Sequence, residues 1–158
     1  MSHVRQQREY VGYHVYNTQR ALHRSLELCV EKAGLTPGQW NALTQLEEHG
    51  AMTQKQLAER LQKEQATVTR SIERLVQRGL VERTPNPQDR RVNIVNVTPE
   101  ASRLLAELEP SVTQRNEELT EGISDADLEA FFRVLDRLNA NTQHYRDSQK
   151  ASTDDSRH

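Results

Sequence analysis

One cysteine, Cys29, stands alone in 158 residues. A lone thiol cannot close an internal disulfide, so nothing here requires an oxidising compartment. No apolar run approaches the ~18–20 residues that span a bilayer. The opening "MSHVRQQREY" has no apolar stretch of the kind that directs secretion. These absences predict a cytoplasmic protein with no membrane partner. Reactive motifs are equally scarce. There is no glycine-rich phosphate loop, no nucleophile elbow and no acid–base pair beyond ordinary surface charge, so an enzyme is not expected. His3, His14, His23, His49, His144 and His158 fall in no HExxH or paired-cysteine spacing, so neither a metal nor a cofactor is expected.

What is present is charge. Hydrophobic residues make up 34% of the chain and charged residues 28%. That composition allows one domain with a modest core, which gains from burying helices against a second copy of itself. The net charge is only −2, but it is unevenly spread. Thr53 to Arg91 holds nine Lys/Arg against five Asp/Glu, and the rest holds twelve against eighteen. A basic middle between acidic ends suggests a polyanion site on one face. The plainer reading is a chance excess on a solvated surface.

Periodicity places the elements. Leu22, Leu26 and Cys29 or Val30 recur at helical spacing before Gly34, predicting a first helix from about Arg8 to Lys32. Thr36, Pro37 and Gln39 form a capping box with proline in the first turn. They open a second helix whose stripe is Trp40, Leu43 and Leu46, ending at Gly50. Thr53 with Gln56 opens a short third helix carrying Leu57, Ala58 and Leu61. After the turn "QKEQ", Val68, Ile72 and Leu75 define a fourth, with Gly79 as its left-handed stop.

Leu80 to Thr84 and Val92 to Val97 read as paired strands across a tip holding Pro85 and Pro87. Thr98-Pro99 opens a fifth helix through Leu104, Leu105, Leu108 and Val112, with Pro110 inside it. Ser124 and Asp127 cap a sixth, striped by Leu128, Phe131, Phe132, Leu135 and Leu138. The tail, residues 148–158, has no core residues and reads as disordered.

The fold class is therefore mainly α with a small β-hairpin. Two short helices joined by a tight turn and followed by a hairpin form a winged helix-turn-helix. An α-helix fits the major groove of DNA, where each base pair shows a distinct donor and acceptor pattern. The outward residues of the fourth helix are Gln65, Thr67, Thr69, Arg70, Ser71 and Arg74. Their hydroxyls allow close approach, and Arg70 can reach phosphate or guanine. At the hairpin tip stand Asp89, Arg90 and Arg91. A wing arginine gains from the focused negative potential of an adjacent minor groove. Asp89 would be repelled by phosphate, so it reads as an anchor pairing with an arginine to set the wing's geometry. Charges at a loop tip can also be merely solvated.

From Tyr10 to Tyr145 the sequence resembles the MarR (multiple antibiotic resistance regulator) family. The resemblance rests on "LTPGQWNALTQL", "TQKQLAERL", "ATVTRSIERLVQRGLVER" and "DRRVNIVNVTPEA" in the expected order and spacing. "GIS" and the acidic helix after it look like the SlyA-type branch. The resemblance implies a homodimer whose first, fifth and sixth helices interlock, with two winged modules on a pseudo-palindrome. Residues 8–34 and 99–147 would then form the helical dimerisation region and residues 35–98 the DNA-binding lobe. Arg91 matches the family's minor-groove wing arginine and Asp89 its salt-bridge partner. Thr67, Thr69 and Arg70 match recognition-helix contacts. Family members are commonly repressors released by small anionic phenols bound between the dimer helices and the DNA lobe, and some instead activate by displacing other proteins.

Two other readings compete. Some family members sense peroxide through a cysteine near the start of the first helix, whereas Cys29 falls late, where a small buried hydrophobe is the ordinary role. A winged helix used only for protein association would not need the basic, hydroxyl-rich fourth helix or the arginine tip. His14, Arg20 and Trp40 are candidates to line a pocket for an aromatic carboxylate effector, although a tryptophan there also suits the core. Tyr10, Tyr13 and Tyr16 read as dimer-packing residues.

Overall fold

Two reciprocal capping boxes set where the central helices begin. Thr36 Oγ1 accepts from the Gln39 amide at 3.2 Å, while Gln39 Oε1 accepts from the Thr36 amide at 3.0 Å. Thr53 and Gln56 repeat the exchange at 3.1 and 2.9 Å. Each box satisfies two donors that a helix N-terminus otherwise leaves open. The structure is a computed structural model that describes residues 10–155. Its elements are α1 (Val11–Val30), a 3₁₀ turn (Glu31–Ala33), α2 (Pro37–His49), β1 (Met52–Thr53), α3 (Gln54–Leu61) and α4 (Gln65–Gln77). They are followed by β2 (Val81–Pro85), β3 (Asn93–Val97), α5 (Pro99–Thr120) and α6 (Asp125–Asp155).

The mainly α architecture and its hairpin wing are as expected, with some boundaries moved. The start expected for α1 at Arg8 lies outside the described residues. Its end tightens into the 3₁₀ turn, which Gly34 closes at φ 68°. Leu22, expected on the buried stripe, is 44% exposed, whereas Val30 is in the core and Leu26 and Cys29 pack against it. The strands begin one residue later than expected because both preceding residues close turns. Leu80 N donates to Leu75 O at 2.9 Å, and Val92 N donates to Asp89 O at 3.0 Å.

The sheet has a third strand that the pattern did not announce. Met52 and Thr53 pair with Val95 and Ile94, so the order is β1-β3-β2, antiparallel throughout. This short pairing ties the entry of α3 to the wing.

The chain separates into two compact units, dividing between Glu117 and Glu118 inside α5. The expected regions, residues 8–34 with 99–147 and residues 35–98, divide one domain by role, and the compact units need not follow them. The core supplies the reason. Val30 of α1 and Ala101 and Leu105 of α5 belong to the same buried cluster as Trp40, Leu57, Ile72 and Val95. Arg78 adds a polar tie, donating from Nη1 and Nη2 to the carbonyls of Gly34 and Ala33 at 2.7 and 2.8 Å. Thr98 adds another: its hydroxyl donates to Gly79 O at 2.7 Å and accepts from Ala101 N at 3.3 Å. The start of α5 is thereby fastened to the end of α4.

Ile72 sits at the centre of that core with no exposed surface. Ile72→Ala should leave a cavity costing about 2–5 kcal/mol. Urea unfolding of the full chain measures this, and a loss under ~1 kcal/mol would mean the site collapses around the smaller side chain.

In the second unit Ser124 caps α6 as expected, its Oγ accepting from Asp127 N at 3.2 Å. The helix then continues to Asp155, so residues 148–155, expected to be disordered, have helical backbone. A segment without core residues can still extend a nucleated helix when it lacks proline and glycine, and "SQKASTDD" has neither. Residues 156–158 of the expected tail lie outside the described residues. Leu128, Leu135 and Leu138 are half-buried, but Phe131 and Phe132 are 49% and 57% exposed.

Candidate nucleic-acid interface

α4 is amphipathic by spacing. Val68, Ile72 and Leu75 are buried three to four residues apart, which turns Thr67, Arg70 and Arg74 outward, all exposed. Gln65, its first residue, is also exposed, while Thr69 and Ser71 lie half-buried on its flanks. The turn that presents this helix is tight. Gln62 ends α3 in the left-handed region at φ 51°, and its amide and that of Lys63 donate back to Glu59 O and Ala58 O. Gly79 ends α4 at φ 70°, a conformation that costs glycine little.

One contact between the two helices was not legible in the sequence. Gln54 Nε2 of α3 donates to Thr69 Oγ1 of α4 at 3.0 Å. "TQKQ" showed a capping box, but nothing in its spacing pairs Gln54 with a residue fifteen positions on. The Arg78 contacts carry no local signal either, since Gly34 and Ala33 lie 44 and 45 positions earlier.

The wing tip is held in a defined shape. Asn86 N donates to Val92 O at 2.8 Å, and Asn86 Oδ1 accepts from Gln88 N at 3.0 Å. Asp89 grips Arg91 three ways. Its Oδ1 accepts from the Arg91 amide and from Nε, each at 3.1 Å, and its Oδ2 accepts from Nη2 at 3.3 Å. The expected anchor is therefore present, and its partner is Arg91. The Arg91 side chain is nonetheless 90% exposed, so the pair aims the guanidinium without covering it. Arg90 beside it is exposed too.

The hydrogen bonds from the Arg91 side chain and amide hold the Asp89 carboxyl below its usual value. A depressed folded value means the anchor is complete above the ordinary carboxylate range and is lost as pH falls through the lowered value. An NMR titration following the Arg91 Nε–H signal should show it moving only well into acid. Movement centred on an ordinary aspartate value would mean the two side chains do not pair. Because the pair is exposed, global stability should barely follow.

Of the three effector candidates, the cleft beside Trp40 includes only Trp40 itself. His14 and Arg20 are exposed on α1, where Arg20 lies 5.9 Å from the Tyr16 ring centroid. Trp40 is a core residue at 8% exposure and also lines a cleft of about 300 Å³ with Thr44, Glu47, Glu48, Leu105 and Glu109. That cleft includes neither His14 nor Arg20, and its three carboxylates disfavour an anion. Cys29 is half-buried against the core. Among the described residues, no cluster of His, Cys, Asp or Glu is placed to hold a metal, and no helix is long and apolar enough to cross a membrane.

Comparison with known proteins converges on the same lobe. The MarR family model matches residues 35–92, which hold α2 to α4 and the wing tip. The uncharacterized HTH-type transcriptional regulator YwoH of Bacillus subtilis is 34% identical over 133 residues, covering 80% of this chain and 94% of that protein. This chain belongs to the MarR family. It is a transcription regulator of MarR type with a DNA-binding winged helix fold. Among solved structures, Bordetella bronchiseptica BpsR aligns with a TM-score of 0.77 at 27% identity, covering 83% of this chain and 94% of that one. That structure concerns regulation of BpsR DNA binding by 6-hydroxynicotinic acid. A mutant MarR from E. coli complexed with operator DNA aligns at 0.79, covering 87% and 99%. At 22% identity it shows the shared fold alone.

Proposed function

We propose that this MarR-family protein is a dimeric, cytoplasmic repressor of a pseudo-palindromic operator in double-stranded DNA. α4 enters the major groove, where Gln65, Thr67, Thr69, Arg70 and Arg74 meet bases and phosphates. Arg90 and Arg91 reach the adjacent minor groove, with Asp89 holding Arg91 in place. The observation that carries this reading is the three-bond Asp89–Arg91 grip on a side chain left 90% exposed. A merely solvated arginine has no use for such an anchor, whereas a minor-groove reader gains from being aimed before it binds.

Two copies are needed because one recognition helix reads only a half-site. The apolar faces left exposed on α1 and α6 supply the surface for pairing. Release by a small aromatic carboxylate is part of the proposal, supported by the regulation of BpsR DNA binding by 6-hydroxynicotinic acid. The cleft beside Trp40 includes neither His14 nor Arg20, so the pocket would be completed by the second copy. The ligand acts by preferring the spacing of wings that does not fit DNA. Placement in the SlyA-type branch is supported by Gly122-Ile123-Ser124 and the acidic start of α6.

Selection of bound sites from random duplex at low salt tests the core of this reading. The expected result is a two-fold motif with half-sites about one helical turn apart. Retention of no duplex, or of unrelated sequences, would overturn it. Adding salicylate to the selected complex should then release DNA.

A further inference from the structure

Thr69 stands on the α3 side of α4, and its hydroxyl has one proton and two lone pairs to use. Gln54, the first residue of α3, donates its amide N–H to that hydroxyl at 3.0 Å. The amide occupies one of the two lone pairs of Thr69 and leaves the proton uncommitted. A helical threonine often gives that proton to the carbonyl one turn back, as Thr142 does to Leu138 at 2.8 Å. Among the described residues Thr69 makes no bond of that kind. Its proton is available to a partner outside the chain.

We infer that Gln54 is a specificity-determining residue that acts through Thr69, fixing its hydroxyl as a hydrogen-bond donor toward the major groove. This rests on the DNA-binding reading above and says what one contact of that interface would select. Guanine shows N7 and O6 acceptors there, adenine N7 and thymine O4. Cytosine shows only its N4 donor. With one lone pair taken and its proton free, the hydroxyl favours those three bases over cytosine, which must compete for the single lone pair left. Gln54 itself is a positioning residue, with its effect carried by Thr69.

The experiment is a set of base-by-base selection profiles for the full-length parent, Gln54→Met, Thr69→Val, their double variant and Thr69→Ser, with melting confirming that each folds. The parent should disfavour cytosine at one position of each half-site, on the order of tenfold. Thr69→Val should flatten that position and Gln54→Met should flatten the same one. The double variant should match Thr69→Val, because Gln54 has nothing left to act through. Thr69→Ser keeps the hydroxyl and should retain the preference. Additive losses, weakening spread equally over all sequences, or an intact preference in Gln54→Met would each overturn the inference. A parent that selects a motif while these variants leave its profile unchanged sinks this inference alone. A parent that binds no duplex sinks the DNA-binding reading with it.

Discussion

At micromolar concentration the parent chain should sediment as a dimer, and Phe131→Glu/Phe132→Glu should sediment as a monomer that still shows a cooperative melt. Phe131, Phe132 and Val134 are 49%, 57% and 55% exposed on α6, and Tyr13 and Tyr16 on α1 and Tyr10 at its N-cap are comparably open. Apolar surface gathered on single helix faces marks an interaction site. Burying it against its own copy gives an isologous interface in which each patch meets its equivalent. Two charges placed on that face would have to be buried unpaired, which opposes association strongly. The consequence for DNA is larger than for stability. Two linked recognition helices bind a two-half-site duplex about 10²–10⁴-fold more tightly than one alone. The variant should lose a factor of that order on the full site and little on a half-site. A monomeric parent, or a dimeric variant with undiminished affinity, would show that these faces serve something else.

The second large effect separates the wing from the recognition helix. Arg91→Ala should weaken binding to selected and random duplex in similar proportion and lower the salt slope by about one unit per lost phosphate-like contact. Minor-groove readout is degenerate, so electrostatics dominates there. Arg70→Ala should act mainly on the selected site, by about 1–3 kcal/mol for a lost base contact. Asp89→Ala should fall between the parent and Arg91→Ala, because it loosens the tip while leaving its positive charge. None of these should move the melting temperature much, since an exposed ion pair contributes at most ~1 kcal/mol. Binding isotherms on both duplexes across several salt concentrations measure all of this. If Arg91→Ala binds both as tightly as the parent, the wing arginine is only solvated.

Most of the helix-turn-helix is legible in the sequence itself. Thr36–Gln39 and Thr53–Gln56 are local exchanges between residues three apart, and both formed. Val68, Ile72 and Leu75 carried the 3.6-residue period of α4, and all three are buried. Gly79 adopts the left-handed stop its position implied. Asp89 and Arg91, two residues apart, formed the pair that repulsion between Asp89 and phosphate had suggested. Each of these depends on neighbours within a turn or two, where geometry follows from propensity and capping.

Packing settled the rest. Met52 and Thr53 became a strand only because β3 lies alongside them, more than forty residues on. Gln54 meets Thr69, and Arg78 meets the carbonyls of Ala33 and Gly34, through contacts no spacing rule connects. The boundary between compact units fell inside α5 because Val30, Ala101 and Leu105 share one core with the central helices. α6 ran past its last apolar residue, since helix propagation needs only residues that do not break it. A chain encodes its local hydrogen bonds in adjacent residues. Which distant side chains meet is decided by how the buried faces fit together, and that fit exists only once the whole core has closed.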